Sequence, residues 1–322
     1  MKRTTNLQVA SLASESGSVR YDALISMLGF ESRARHIARI LSSRVDRHWV
    51  FEYSSNQVLG YDDNAEFYNS IGAGPEPVGG FHEGLREHIS ALRSTMPLDE
   101  STGERVTPRI AVDISSMDRD LIANAVLACT QEQDEPLVVD FLYSCALFDA
   151  GLVGSEGPVL VNRPVNGLEG WSSDPDAGIV CVVGLGFEGR LATAAIETIE
   201  PHATLALIPR GEDDRYEDVV RTANATLLES LDVPPGEYNV NNVLQTVIDL
   251  DASVSGWSRR ERVVLVPLGP KPFALAAILV GAAHPNNVTV WRLSADDGRQ
   301  PEDRIASGTV IGLSVSVSPA SS

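Results

Sequence analysis

Two short segments combine residue types that suit the binding of an anion. The first, Asp113-Ile114-Ser115-Ser116-Met117-Asp118-Arg119, follows an apolar run and precedes a helical pattern. Hydroxyl and backbone N–H groups at the start of a helix suit a phosphate, and Arg119 can add a forked contact. Asp113 and Ser115 are also typical helix caps, so a purely structural interpretation stands beside the binding one.

The second segment is Gly269-Pro270-Lys271-Pro272, between the strand pattern ERVVLVPL and the small-residue helix pattern FALAAILVGAA. Gly269 lets the backbone approach a ligand closely, Lys271 supplies a point charge, and the two prolines fix φ and stiffen the loop. The chain has 25 lysine and arginine residues, of which only Lys2 and Lys271 are lysines. A lysine in a chain that otherwise uses arginine indicates a ligand contact.

A third motif, Leu-Gly-Phe-Glu-x-Arg, occurs twice, each time between an apolar run and a helical pattern. The two copies, called here the GFExR loops, share the residues Gly29, Phe30, Glu31 and Arg33 in the first and Gly186, Phe187, Glu188 and Arg190 in the second. The two glutamates can contact ribose hydroxyls or base amines, or can instead complement a helix dipole. Both interpretations stay open from the sequence.

The second copy also contains a GxGxxG pattern, formed by Gly184, Gly186 and Gly189 after the apolar run IVCVV. Dinucleotide-binding loops have this pattern. The first copy keeps only Gly29 of it, and the next strand pattern ends in Ile208-Pro209-Arg210 without an acidic residue for a ribose. An enzyme that uses a dinucleotide or S-adenosylmethionine is therefore an alternative. We predict no bound cofactor and, because no HExxH or similar spacing occurs, no metal site.

The GFExR loops begin a longer internal repeat. Strand-like and helix-like segments follow in the same order in both halves, from HWVFEYS opposite TLALIPR to LVVDFLYSCA opposite VTVWRLSA, and Asn69 stands opposite Asn224. Strands rich in Val, Ile and Leu that alternate with helices are typical of a parallel sheet covered on both faces. We predict an α/β fold of two tandem Rossmann-like domains with mainly parallel sheets, related by internal duplication.

A stretch rich in Gly, Pro and Asp separates the predicted domains. The predicted boundaries are a polar lead-in at 1–20, a first domain at 21–149, a linker at 150–177 and a second domain at 178–322. Within the linker VLVNRPV is a candidate edge strand, and the tail GTVIGLSVSV has a strand pattern. Ligands of such folds bind at the carboxyl ends of strands, where the strand order reverses. The GFExR loop and the segment after the penultimate strand should meet there in each half.

Composition restricts the class of partner. The net charge of −19 argues against an extended surface for DNA or RNA, which would need a basic face. No run of about 18 apolar residues occurs, so we predict neither a membrane span nor a membrane partner. Cys129, Cys145 and Cys181 lack CxxC spacing, which is typical of buried free thiols in a reducing cytoplasm. We predict a cytoplasmic protein, with a homo-oligomer among the open alternatives for its assembly.

The two anion-binding segments resemble those of CARF domains, the Rossmann-like sensors of cyclic oligonucleotides in CRISPR-linked and related antiviral systems. Members carry a D/N-x-S/T-x-x-x-R/K pattern, which Asp113, Ser115 and Arg119 fit. A G-G-x-K-P variant before a small-residue helix resembles Gly269-Pro270-Lys271-Pro272 followed by FALAA. The resemblance implies paired sensor domains within one chain, a nucleotide-like ligand such as a cyclic oligonucleotide, and a separate protein effector.

These observations favour a nucleotide-type ligand sensor or regulatory subunit over an enzyme, and the resemblance connects it with antiviral defence. An enzyme acting on a nucleotide is one alternative, and a structural subunit of a larger assembly is another. The candidate binding residues are Gly29, Glu31, Arg33, Asp113, Ser115, Ser116, Arg119, Gly186, Glu188, Arg190, Gly269 and Lys271.

Overall fold

The computed structural model describes residues 5–12, 19–55, 57–131, 133–148, 158–170, 174, 176–211, 213–295 and 301–319. The chain divides into two compact units, the first formed by residues 1–147 with 301–322 and the second by residues 148–300. Each unit is α/β with one mainly parallel sheet, of seven strands in the first unit and six in the second. The predicted fold class of two tandem Rossmann-like domains is confirmed.

The elements follow in chain order. Up to residue 146 they are β1 (Thr5–Ser11), β2 (Ala23–Leu28), a 3-10 helix (Ser32–Arg35), α1 (His36–Leu41), β3 (His48–Glu52), α2 (Tyr61–Ser70), β4 (Pro75–Pro77), α3 (Phe81–Thr95), β5 (Arg109–Asp113), α4 (Arg119–Thr130) and β6 (Leu137–Ala146). The later elements are β7 (Val159–Pro164), β8 (Ile179–Gly184), α5 (Gly189–Ile199), β9 (Ala203–Arg210), α6 (Arg215–Ala223), α7 (Ala225–Ser230), β10 (Gly236–Asn239), α8 (Val243–Trp257), β11 (Arg262–Pro267), α9 (Lys271–Ala283), β12 (Val288–Ala295) and β13 (Ala306–Pro319).

The internal repeat is present in the strand order. The first sheet runs β1-β13-β6-β5-β2-β3-β4 and the second runs β10-β9-β8-β11-β12-β7, so the parallel order β6-β5-β2-β3-β4 recurs as β12-β11-β8-β9-β10. The register recurs too, because Ala23 of β2 pairs with Ile110 of β5, and Val180 of β8 pairs with Val263 of β11. Ala23 and Val180 are separated by the same 157 positions as the two GFExR loops.

The predicted domain boundaries need correction because three strands belong to sheets that the predicted boundaries do not assign to them. β1 lies in the predicted lead-in 1–20 and pairs antiparallel with β13. β7 lies in the predicted linker 150–177 and pairs antiparallel with β12, as the candidate edge strand. β13 lies within the predicted domain 178–322 but joins the first sheet, between β1 and β6. A strand pattern reveals the strand and not its partner, which accounts for the error.

Burial on both faces explains the composition of the central elements. All of β2, ALISML, is buried, as are Val263–Pro267 of β11. Strands covered by helices on both sides need apolar side chains throughout. Helix α9 is buried from Pro272 to Gly281 and packs against α8, so its small residues belong to an internal helix without a polar face.

The cysteines are free, and two of them are fully enclosed. Burial raises the pKa of Cys129 to about 12 and that of Cys181 to about 12. Near pH 7 both are therefore neutral thiols without nucleophilic character. The expectation of buried free thiols is confirmed for these two, whereas Cys145 is half-buried.

Candidate functional site

The strand order reverses between β2 and β5 in the first sheet and between β8 and β11 in the second. We call the carboxyl edge at each reversal a switch point. In the second unit the two loops that leave these strands bond to each other. The N–H groups of Leu268 and Gly269 donate to the carbonyl oxygen of Gly184, at 3.0 and 2.8 Å. The expectation that the GFExR loop lies beside the segment after the penultimate strand is confirmed here.

The corresponding loops of the first unit also touch. A Cβ built on Gly29 would lie 3.1 Å from both the Cβ and the Oγ of Ser116. The Tyr53 hydroxyl, which follows β3, donates to the Ser116 carbonyl oxygen and accepts from the Asp118 N–H, each at 3.2 Å. Tyr53 therefore fixes the segment after β5, and the sequence analysis did not identify it as a site residue.

Arg33 points into the first unit and is only 3% exposed. Its guanidinium donates to the Glu31 carboxylate at 2.6 Å, to the Tyr143 hydroxyl at 3.1 Å and to the Ser144 carbonyl oxygen at 2.9 Å. Burial acts to lower the pKa of Arg33, but Tyr143 and Glu31 outweigh it and the pKa is raised. Glu31 also lies 3.5 Å from Nε of Arg304. The hydrogen bonds and the ion pair of Arg33 therefore connect the GFExR loop to β6.

Arg190, the matching arginine of the second unit, is exposed. The sheet register gives a reason. Val139 of β6 and Val288 of β12 hold corresponding places opposite the penultimate strands, and four residues further on stand Tyr143 and Arg292. Tyr143 accepts a hydrogen bond from Arg33, whereas Arg292, at the corresponding register position of the second unit, carries no acceptor group.

Residues 301–305, called here the strap, run along the GFExR loop of the first unit. Ser32 donates from its N–H and its hydroxyl to the two carboxylate oxygens of Asp303, at 2.6 and 2.5 Å. The Arg33 N–H donates to the carbonyl oxygen of Arg304 at 3.1 Å. The strap is therefore fastened to the loop through both side chains and backbone.

The segment after β5 is tied to the sheet by its own polar side chains. Asp113 accepts a hydrogen bond from the Ser115 N–H at 2.9 Å, and Ser115 Oγ accepts one from the Ser144 N–H at 2.8 Å. Helix α4 is capped by Asp118, whose carboxylate accepts from the Leu121 N–H at 2.8 Å. The interpretation of Asp113 or Ser115 as the helix cap is therefore wrong, and both residues stabilise the loop.

The candidate glutamates do not cap helices either. Glu31 precedes the 3-10 helix and Glu188 precedes α5, and neither side chain makes a capping hydrogen bond. Glu31 is only 15% exposed and is paired with Arg33, whereas Glu188 is exposed. The charged side chains of the motif are therefore more exposed to solvent in the second copy than in the first.

Packing explains the glycines of the second unit. A Cβ built on Gly184 would overlap the ring of Phe273, and one on Gly189 would overlap the carbonyl group of Ala223. A Cβ on Gly186 would lie 2.6 Å from the Leu268 carbonyl oxygen. The GxGxxG pattern follows from this close packing of loop, helix and strand, so it does not by itself indicate a dinucleotide.

Basic residues stand in the first turns of three helices at the carboxyl edges of the sheets. Arg119 begins α4, Arg190 is the second residue of α5, and Lys271 begins α9 instead of lying in the preceding loop. A cation at the positive end of a helix is unfavourable, by about 0.3–1 kcal/mol. An anion near such a position would be attracted both by the helix N-terminus and by the cation.

A cleft of about 360 Å³ adjoins the first turn of α5. Its lining includes Arg190, Thr193, Glu197, Thr226 and Leu227. The charged end of the second GFExR loop thus borders an open cleft beside the contact between α5 and α7.

Asparagines hold both GFExR loops, and sequence matching paired them wrongly. Asn64 donates to the carbonyl oxygen of Gly29 at 2.8 Å, and Asn224 donates to that of Gly186 at 2.8 Å. The sequence repeat places Asn69 opposite Asn224, but Asn69 is exposed. The signal for Asn64 was a polar residue on the buried face of an otherwise amphipathic helix.

Metal and membrane sites have no support among the described residues. No group of three or more His, Cys, Asp or Glu side chains in this part of the chain could hold a metal ion. In the same residues, every helix is too short or too polar to cross a membrane.

No protein-family model matches the chain, and no curated protein matches it significantly. Among solved structures, the cytoplasmic domain of a prokaryotic cation chloride cotransporter shares 8% identity at a TM-score of 0.23, over 87% of this chain and 97% of that one. Haemonchus contortus phosphoethanolamine N-methyltransferase 1, in complex with phosphoethanolamine and S-adenosylhomocysteine, shares 7% identity at a TM-score of 0.24, over 93% and 88%. A keto acid-selecting NRPS module shares 10% identity at 0.20, over 89% and 34%. Likenesses this weak identify neither a family nor a function.

Proposed function

We propose that the chain is a sensor or regulatory subunit that binds a nucleotide-type ligand at the switch point of the second unit and signals to a separate protein effector. The single observation that carries the proposal is the position of Arg190 and Lys271. Both stand in the first turns of helices that begin beside the switch point between β8 and β11. In this position they oppose the helix dipole, so an anionic ligand accounts for them better than helix stability does.

The differences between the two units support a ligand site in the second unit. In the first unit Arg33 is bound to Glu31, Tyr143 and Ser144, and the strap covers the GFExR loop. In the second unit Glu188 and Arg190 are exposed. A carboxylate beside the basic residues suits hydroxyl and amine groups, so the ligand class is an anion that also carries hydrogen-bond donors, as a nucleotide does.

The resemblance to CARF domains supports a cyclic oligonucleotide within this class. Lys271 stands at the start of a helix of small residues, α9, which resembles the glycine-rich variant of that family's motif. Antiviral defence and a separate effector belong to the proposal on the same ground. The enzyme alternative through the GxGxxG pattern has less support, because packing already explains its glycines.

A ligand screen tests the proposal. Thermal shifts would be measured with mononucleotides, cyclic di- and oligonucleotides, NAD and S-adenosylmethionine, and each positive result would be followed by calorimetric titration. We expect a cyclic oligonucleotide or mononucleotide to bind, and its affinity to fall in Lys271→Ala. The matched control is Arg259→Ala, which removes one exposed positive charge at the amino end of β11.

The outcomes separate the alternatives. Equal loss in Lys271→Ala and Arg259→Ala would indicate a nonspecific charge effect and overturn the site. Binding of NAD or S-adenosylmethionine with product formation, followed by mass spectrometry, would favour the enzyme. No binding of any ligand would favour a structural subunit.

A further inference from the structure

We propose that the strap, residues 301–305, is a releasable latch that keeps the GFExR loop of the first unit closed, so that the first switch point admits ligand only after the strap has detached. The identity of that ligand rests on the proposed function above, whereas the latch itself rests on hydrogen bonds within the first unit. The latch is thus a regulatory device of the first GFExR loop, and the second loop has no equivalent of its Ser32 contact.

The latch has three points of attachment. Ser32 binds the Asp303 carboxylate through two donors, and the Arg33 N–H binds the Arg304 carbonyl oxygen. At the far end of the strap, the Leu147 N–H donates to the Ile305 carbonyl oxygen at 2.9 Å. The strap thereby spans from the GFExR loop to the end of β6.

These contacts are of the kind that can open without global unfolding. Asp303 is exposed, and the guanidinium of Arg304 lies 3.5 Å from Glu31 with 36% of its side chain exposed. The Arg304–Glu31 ion pair is in contact with solvent and contributes little to stability. The strap therefore depends on a few hydrogen bonds, against the continuous ladder between β13 and β6 beside it. The strap is therefore expected to be a weak point of the first unit.

The strand that follows the strap provides a hinge. The pairing between β13 and β6 is irregular between Ala306 and Val310, and Gly308 has a φ of 95°. A bulge of this kind interrupts the ladder. From Val310 onward the register with β6 is continuous. The strap can therefore detach while the remainder of β13 stays in the sheet.

The second unit cannot form the same latch. The place of Ser32 in the first GFExR loop is taken by Gly189 in the second, which has no hydroxyl to donate. The chain also passes from the second unit into the strap, since residue 300 ends the second unit and residue 301 re-enters the first. The strap is therefore the part of the first unit that directly follows the second unit in the chain.

Amide hydrogen exchange tests the latch in the full chain. In Asp303→Ala we expect the amides of Ser32, Arg33 and Leu147 to exchange about tenfold to a hundredfold faster, because a charge-assisted contact is lost. The amides of the regular β13–β6 ladder, such as that of Leu313, should keep their rates. The matched control is Glu302→Ala, which removes the neighbouring exposed carboxylate and should leave all rates unchanged.

Two exchange results would overturn the latch. One is unchanged rates at Ser32, Arg33 and Leu147 in Asp303→Ala. The other is equal acceleration along the whole ladder, since β13 would then open as a single element and the strap would have no independent motion.

Calorimetric titration with ATP and with a cyclic dinucleotide as probes tests the admission of ligand. We expect one site in the parent chain and in Glu302→Ala, and two sites in Asp303→Ala. A stoichiometry of one in all three chains, with the exchange result intact, would refute the admission of ligand and leave a mobile strap. No binding in any chain would refute the proposed function and the admission of ligand together, and the exchange result would still decide on the latch.

Discussion

The side-chain amide of Asn224 donates to the carbonyl oxygen of Gly186 at 2.8 Å, and in the other unit Asn64 makes the equivalent bond to Gly29 at 2.8 Å. Each asparagine is at most 2% exposed. The two bonds fix the backbone of the GFExR loops from outside the motif. In both units an asparagine therefore holds the same loop carbonyl group, although an alignment of the two sequences pairs Asn224 with Asn69 and not with Asn64.

Replacing these asparagines should destabilise the units. Asn64→Ala and Asn224→Ala each leave a buried carbonyl group without its donor, so we expect a loss of about 1–3 kcal/mol in the free energy of unfolding. Urea denaturation measures it, with one transition expected for each unit. The control is Asn69→Ala at the exposed, sequence-matched position, which should change stability by less than about 0.5 kcal/mol. A larger effect at Asn69 than at Asn64 would contradict the assignment.

Substitution of the two motif arginines should affect different properties, stability in the first unit and ligand affinity in the second. Arg33→Ala removes one partner of a largely buried pair and leaves the Glu31 carboxylate without it, so we expect a loss of roughly 3 kcal/mol in the free energy of unfolding. Arg190→Ala should stay within about 0.5 kcal/mol of the parent in stability and lower ligand affinity. Denaturation and titration of both variants provide the comparison. Equal destabilisation by the two substitutions would show that Arg190 is also structural.

Glycine substitutions separate packing from ligand approach. Gly189→Ala places a Cβ against the Ala223 carbonyl group, so the second unit should lose stability whether or not ligand is present. Gly256→Ala, in the helix α8, meets no atom within 4 Å and should gain up to about 1 kcal/mol. Thermal denaturation of the two variants measures the contrast. A stable Gly189→Ala variant that has lost only binding would restore the dinucleotide interpretation.

Lys271→Ala should weaken ligand binding about tenfold to a hundredfold, because a charge-assisted contact to an anion is worth roughly 1.5–3 kcal/mol. Stability should be unchanged or slightly higher, since the lysine opposes the dipole of α9. Lys271→Arg is also expected to bind less tightly, because a planar guanidinium replaces a compact ammonium beside two prolines. Calorimetry measures both. Unfolding of Lys271→Ala would show that the lysine is structural.

The first unit should lose stability in mild acid. Burial lowers the pKa of His48, and burial together with Arg39 lowers that of His36. The unfolded chain, with a histidine pKa near 6.5, takes up protons first as the pH falls. The stabilisation is therefore present above about pH 6.5 and is lost below it. Urea denaturation at pH 7.5 and pH 5 should show this loss of stability, and His48→Gln should reduce the difference between the two pH values.

The central strands could be predicted because their signals are redundant. β2 and β8 are apolar on both faces, precede the same motif and recur with a constant spacing, so an error in one copy is corrected by the other. The same redundancy placed the GFExR loops beside the segments after β5 and β11. What the sequence could predict was therefore the part of the fold that depends on local pattern and repetition.

The sheet to which β13 belongs and the environments of individual side chains could not be predicted in this way. β13 has an alternating pattern that suits either sheet, and its place is decided by hydrogen bonds to β1 and β6 that are distant in sequence. Arg33 and Arg190 occupy the same motif position, but Arg33 is buried against Tyr143 and Arg190 is exposed. Such differences arise from long-range pairing, which no local motif contains.

The return of β13 to the first sheet has a consequence for synthesis on the ribosome. Domains usually fold in the order in which they emerge, the N-terminal one first. Here the second unit is complete once residue 300 has emerged, while β1 and β6 still lack the strand that pairs with both. Unpaired strand edges of this kind promote association between chains. The first sheet of the nascent chain therefore remains incomplete until the second unit has been translated. A chaperone that covers β6 would be needed most during that interval.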